Sequence, residues 1–173
     1  MNLPNFITLT RILLVPLFTF LYLQEPGSMN FAATAVFLLA ALTDALDGYL
    51  ARSRKEITRF GQLIDPIADK LLITAALLCL IEVGQVSTWA ALVILAREFA
   101  VSGLRILAAA EGKVIPASMW GKVKTVTQIV AVTAFFLGIS WAPLVLWVAV
   151  LATIVSGVDY FRKAQDVLRS SMV

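Results

Sequence analysis

The sequence predicts an all-α integral membrane protein, with six transmembrane helices in one bundle and a polar cavity facing the cytoplasm. Three observations predict it. Hydrophobic residues make up 60% of the 173 and charged residues only 14%, against about 25% in an average soluble domain, and the mean hydropathy is +0.90. The apolar residues fall into long stretches near the ~20 residues that a spanning helix requires. Basic residues occupy alternate connections only. A single domain, residues 1–173, accommodates the whole pattern.

The first expected span is Pro4–Leu23. It lacks the basic start and Ala-x-Ala site of a signal peptide, and Arg11 interrupts its apolar run, so it is expected to remain as a helix. The turn Glu25-Pro26-Gly27-Ser28 separates it from Phe31–Leu50. The third span is Gln62–Ile81, ended by Val83-Gly84-Gln85. The fourth is Thr88–Ala110, ended by Glu111-Gly112-Lys113. The fifth, Gly121–Gly138, and the sixth, Ala142–Arg162, meet at the Gly138–Pro143 break. Trp89, Trp141 and Trp147 lie near helix ends or in apolar runs, as interface anchors or packing residues do.

Charge orients these spans. The first, third and fifth connections hold no Lys or Arg; their charges are Glu25 and Glu82. The second holds Arg52, Arg54, Lys55 and Arg59, and the fourth holds Lys113, with Lys122 and Lys124 just inside the next helix. The C-terminal end carries Arg162, Lys163 and Arg169. Positive charge stays on the cytoplasmic side. A multi-pass protein of the cell (cytoplasmic) membrane follows, with the second and fourth connections and both termini in the cytoplasm.

Composition also excludes. Without histidine, a Ser-His-Asp or Cys-His site in its familiar form is ruled out. Cys79 is the sole cysteine and lies in an apolar run, where it reads as a small hydrophobe. The net charge of +3 is spread over short connections and helix ends, unlike the concentrated basic face of a nucleic-acid reader.

The chemistry is expected around the second connection, in TDALDGYLARSRKEITRFGQLIDPIADK. Asp44 and Asp47 are spaced i,i+3, and Asp65 and Asp69 i,i+4, so each pair shares a helix face. Counted inward from Arg52 and Gly61, Asp47 and Asp44 lie about 8 and 12 Å deep, and Asp65 and Asp69 about 6 and 12 Å deep. Pro66 disfavours helix at Asp65; a helix starting at Pro66 degrades this match by about one turn. Four carboxylates at matching depth cannot all ionise without a cation. All-oxygen ligation favours one or two Mg²⁺ or Mn²⁺ ions over Zn²⁺, with Ca²⁺ less suited because no EF-hand loop is present. The competing reading pairs the acids with Arg52, Arg54, Arg59 and Lys70. Gly48 and Ala51 are small enough to admit a ligand, although a glycine at a helix end also serves as a C-cap. Arg52 and Thr58 offer a guanidinium and a hydroxyl suited to a diphosphate, or in the arginine's case a topology signal.

The residues Asp44-x-x-Asp47-Gly48-x-x-Ala51-Arg52, followed after eight residues by Gly61-x-x-x-Asp65-x-x-x-Asp69, resemble the signature of the CDP-alcohol phosphotransferases at every position. Asn2-Leu3-Pro4-Asn5 with Thr8 and Arg11, Asp65-Pro66-Ile67-Ala68-Asp69-Lys70, Arg97-Glu98-Phe99 through Ser102-Gly103-Leu104-Arg105, and Trp120-Gly121-Lys122-Val123-Lys124-Thr125 with Gln128 resemble the branch that uses glycerol 3-phosphate. The resemblance weakens after about Ala131. It implies a six-helix membrane fold, often homodimeric, that transfers a phosphatidyl group from CDP-diacylglycerol to glycerol 3-phosphate. It implies divalent ions on Asp44, Asp47, Asp65 and Asp69, with Asp69 also the general base. Gly48, Arg52 and Thr58 are implied to contact the cytidine diphosphate, and Asn5, Phe6, Ile7 and Thr8 to close over it.

For the acceptor, Arg105 near the cytoplasmic end of the fourth helix joins Lys122 and Lys124 as a cationic set suited to a phosphate. Snorkelling of the lysines to lipid headgroups is the alternative. Phosphate recognition keeps inositol 1-phosphate open as a second acceptor. Arg97 and Glu98 lie mid-helix, as an ion pair facing the bundle or as substrate contacts. A divalent cation transporter is the rival class. It is disfavoured because the acids cluster toward one face and no repeat is visible.

Overall fold

The structure is a computed structural model that describes residues 3–25, 29–54, 59–110, 112–113, 115–116 and 118–165, except for the side chains of 3–5, 44–66 and 69. The described elements are α-helices: α1 Leu3–Gln24, α2 Phe31–Arg54, α3 Arg59–Glu82, α4 Thr88–Ala110, α5 Met119–Phe136 and α6 Ala142–Lys163. Their bounds follow the apolar stretches, with one informative difference. The helix of α2 runs on through Arg54, and that of α3 begins at Arg59. The α3 backbone is thus already helical where Pro66 lacks an N–H for the carbonyl four residues earlier.

Among the described residues, Phe6–Gln24 and Ala142–Lys163 are long and apolar enough to cross a membrane, and Phe31–Thr43 is a shorter apolar run. The sequence predicts six spans. The other helices carry charge within their length; α4 alone holds Arg97, Glu98 and Arg105. Pro16 sits inside α1, a position that membrane helices tolerate when neighbouring groups satisfy the freed carbonyl.

The helices group into two compact units, one of Met1–Val86 with Val132–Ala142 and one of Ser87–Ala131 with Pro143–Val173. In the first unit α1 packs on α2 and α3. Its core is aromatic. Phe18 and Phe136 each meet Phe37 edge-on, with centroids 5.8 and 5.5 Å apart, and Tyr22 stacks on Phe136 at 4.3 Å. The Tyr22 hydroxyl donates to Gln85 Oε1 at 2.9 Å, so the buried ring keeps a polar partner. Asn30 caps α2: its Oδ1 accepts from the Ala33 N–H, while its Nδ2 donates to the Leu21 carbonyl near the end of α1.

In the second unit, α4 buries Ala90, Ile94, Val101, Leu104 and Ala108, spaced four, seven, three and four residues apart as one helical stripe. Arg97 falls in the gap of that stripe. Ser118 Oγ accepts from the Gly121 N–H at the start of α5. The helices α3, α4 and α5 end alike, on Gly84, Gly112 and Gly138 with φ of 71°, 68° and 65°. In each, the next residue's N–H reaches a carbonyl five residues back, from Gln85 to Leu80, Lys113 to Ala108 and Ile139 to Ala134. This paired closure satisfies helix-end carbonyls and suits glycine.

Candidate active site

Asp44, Asp47, Gly48 and Arg52 lie on the helical backbone of α2, and Asp65 and Asp69 on that of α3. Their side chains, that of Asn5, and all of Thr58 lie outside the described residues. The helix bounds give each residue's distance from its own helix end. Asp47 and Asp44 stand seven and ten residues before the end of α2, and Asp65 and Asp69 six and ten residues after the start of α3. At 1.5 Å per residue, these are about 10 and 15 Å on one helix and about 9 and 15 Å on the other. Counted along each helix the distances stay similar pair by pair, and α3 begins at Arg59 and not at Pro66. The two helices are in contact and are joined by residues 55–58.

On α1, Phe6 is exposed, Ile7 half-buried and Thr8 buried. One turn further, Arg11 is fully buried, and its Nε donates to Thr43 Oγ1 at 3.4 Å. Thr43 immediately precedes Asp44, and its own hydroxyl donates to the Ala40 carbonyl at 2.7 Å. A buried guanidinium is thus held against the residue that precedes the first signature aspartate in sequence. The sequence carries the signal for this residue, a charge interrupting an apolar span, but spacing alone does not name its partner.

The second unit holds a different polar set. Glu98 Oε1 accepts from Lys124 Nζ of α5 and from Arg97 Nη1 at 3.4 Å. Arg97 Nη2 donates to Ser156 Oγ of α6 at 2.6 Å, while its buried Nε has no hydrogen-bond partner among the described residues. The Arg97 and Glu98 side chains are each 12% exposed. Two cations, from α4 and α5, therefore share one carboxylate, and Ser156 of α6 ties Arg97 to a third helix, which keeps charge inside the apolar unit from standing alone. Below them Gln128 Nε2 donates to Thr153 Oγ1 at 3.1 Å, both buried. Arg97 also lines an open, mostly apolar groove of about 610 Å³, with Ala96 and Ala100 of α4 and Ile154, Gly157 and Val158 of α6.

The predicted acceptor residues separate in this geometry. Arg105 and Lys122 are exposed, whereas Lys124 is buried against Glu98. Arg105 Nε donates to the Tyr160 hydroxyl at 3.2 Å, and its Cζ lies 5.4 Å from the Tyr160 ring centroid. Spacing did not reveal Tyr160, Ser156 or the Glu98–Lys124 pair.

The family model described as CDP-alcohol phosphatidyltransferase matches residues 1–155. The chain is 43% identical to the CDP-diacylglycerol–glycerol-3-phosphate 3-phosphatidyltransferase of Bacillus subtilis (strain 168), over 98% of each chain. It is 37% identical to the protein of the same name from Rickettsia felis, over 93% of this chain and 94% of that one. It is also 42% identical to a probable phosphatidylglycerophosphate synthase of Mycobacterium tuberculosis, over 94% of this chain and 81% of that one. The signature on α2 and α3 lies wholly within the matched residues, and the chain belongs to the CDP-alcohol phosphatidyltransferase family.

Proposed function

We propose that this chain transfers the phosphatidyl group of CDP-diacylglycerol to glycerol 3-phosphate, giving phosphatidylglycerophosphate and CMP. The observation that carries the reading is the end-to-end likeness to the Bacillus subtilis protein of that name, 43% identical over 98% of both chains. The four signature aspartates on adjoining helices support it.

In this reading Asp69 accepts the proton of the acceptor hydroxyl. The freed oxygen forms a bond to the phosphorus that carries diacylglycerol. The diphosphate P–O bond breaks, and CMP leaves with the electron pair. An ordinary aspartate, with pKa near 4, is a weak base for an alcohol, so positioning and charge stabilisation supply most of the rate. Asp44, Asp47, Asp65 and Asp69 fit one or two Mg²⁺ or Mn²⁺ ions: the donor set is all oxygen, and the two pairs stand at similar distances from the facing ends of α2 and α3. Such ions would offset the charge of the diphosphate and the departing CMP. Gly48, Arg52 and Thr58 take the nucleotide diphosphate, and the Asn5–Thr8 segment covers it. Arg105 and Lys122, both exposed, take the acceptor's phosphate; Lys124 contributes from its pair with Glu98.

The protein works in the cell membrane as a six-span homodimer, with its polar cavity and termini toward the cytoplasm. The basic last turn of α6, Arg162 and Lys163, supports that orientation.

Acceptor profiling tests the reaction. Purified protein with CDP-diacylglycerol and Mg²⁺ or Mn²⁺ is offered glycerol 3-phosphate, inositol 1-phosphate, serine or phosphatidylglycerol. CMP is expected with glycerol 3-phosphate, and a chelator is expected to stop its release. Release with inositol 1-phosphate alone overturns the acceptor. Metal uptake into protein-loaded liposomes, with no transfer of lipid phosphate, overturns the enzyme reading altogether.

A further inference from the structure

An arginine that meets a small anion from an exposed helix surface faces an entropic problem. Its long side chain samples many rotamers, and ordering it on binding weakens affinity. Arg105 is exposed, yet two contacts restrain it. Its Nε donates to the Tyr160 hydroxyl at 3.2 Å, and its guanidinium carbon stands 5.4 Å from the Tyr160 ring centroid. Tyr160 is itself fixed. It is 1% exposed and packs with Val101, Leu104 and Ala164, with Ile115 against the same cluster. A mobile cation on α4 is thus tied to an immobile phenol on α6.

The chemistry of the tie matters as well. A guanidinium has five N–H donors in a planar fork. The phenol occupies the Nε–H and leaves the four hydrogens of the two terminal nitrogens. Those two nitrogens form the edge that grips two oxygens of a phosphate at once. The ring contact restrains the plane of the fork as well as its position.

We infer that Tyr160 is a positioning residue for acceptor recognition: it presets the Arg105 guanidinium so that its terminal edge meets the phosphate of the acceptor alcohol. The inference rests on the proposed role of Arg105 at the acceptor. Tyr160 itself touches neither substrate nor reacting atoms. Its effect belongs in the affinity for the phosphorylated acceptor and not in the transfer step.

Steady-state kinetics of four variants test this. Tyr160→Phe keeps the ring and its packing and loses only the hydroxyl. It is expected to raise the KM for glycerol 3-phosphate about 3- to 10-fold, the range of one net hydrogen bond. The kcat and the KM for CDP-diacylglycerol are expected to hold. Tyr160→Leu, which also removes the ring, is expected to raise the same KM further. Arg105→Ala is expected to raise it most, and the Arg105→Ala/Tyr160→Phe double variant is expected to match Arg105→Ala alone. A rise with Arg105→Ala but none with Tyr160→Phe overturns the positioning role and leaves the acceptor reading of Arg105 standing. An unchanged acceptor KM in Arg105→Ala overturns both. A fall in kcat with Tyr160→Phe and no selective rise in the acceptor KM marks a merely structural tyrosine and also overturns the inference.

Discussion

The acid-bearing stretch of α2 and α3 and the cation-bearing set of α4, α5 and α6 place charge in apolar helices by opposite plans. The acids are organised locally. Three- and four-residue spacings put each pair on one helix face, and the two helices follow one another directly in the chain. The cations are organised at a distance. Lys124 meets Glu98 across 26 residues, Arg105 meets Tyr160 across 55, and Arg97 meets Ser156 across 59. The acids have one sign, and in the proposed function a divalent cation balances them. The cations carry their own carboxylate, Glu98, and remain in excess over it. In the proposed function the first plan serves a bound ion, and the second serves a scaffold with a cationic edge for the acceptor's phosphate.

The sharpest way to break this comparison is to remove one charge from each region and ask what is lost. Asp69→Asn removes the proposed base with almost no change in size. Turnover is expected to fall about 10²- to 10⁴-fold, the range for general-base catalysis, while the melting temperature and some nucleotide-lipid binding persist. CMP release under single-turnover conditions checks the first, and binding of CDP-diacylglycerol the second. Normal turnover rejects Asp69 as the base and removes the functional half of the contrast.

The same division decides what could be read from the chain. Helix existence was legible because apolar runs bounded by turn residues such as Glu25-Pro26-Gly27 and Val83-Gly84-Gln85 define each element. The signature was legible because its geometry is contained within two helices and one connection. Helix ends were less so. Pro66 suggests a late start to α3, but the helix begins at Arg59, where the local preference of one residue yields to continuity of the turn before it. The fate of Lys124 was hidden. Sequence places it beside Lys122 as one of two equivalent cations, whereas the fold exposes Lys122 and buries Lys124 on Glu98. Nothing in a spacing pattern joins residues 98 and 124, because that contact depends on how two separate helices pack.

Glu98→Gln probes the second region. It keeps the shape and removes the charge shared by Arg97 and Lys124. Breaking a buried ion pair from one side typically costs about 3–5 kcal/mol. A fall of about 10 °C in melting temperature in detergent is therefore expected, measured beside Asp69→Asn in the same micelle. An Asp69-like result, with full stability and lost turnover, moves Glu98 from scaffold to site and dissolves the distinction between the regions.

The smallest effect sharpens the scaffold's dependence on where Arg97 lies. A methyl group at Gly157 of α6 meets Arg97 Cγ at 3.3 Å, whereas one at Gly103 of α4 meets nothing within 4 Å. The Arg97 stem must shift by a few tenths of an ångström to admit the first, against a terminal nitrogen already bonded to Ser156 on the same helix. Overpacking of this kind typically costs about 1–3 kcal/mol, which outweighs the ~1 kcal/mol gained by replacing a helix-interior glycine, so Gly157→Ala is expected to lower the melting temperature by a few degrees at most. Gly103→Ala relieves a helix-interior glycine in open space and is expected to raise stability by up to about 1 kcal/mol. Opposite signs for two identical chemical changes identify the Arg97 contact as the cause. Equal gains show that the Arg97 stem gives way freely, and that the network is held by Glu98 and not by the wall of α6.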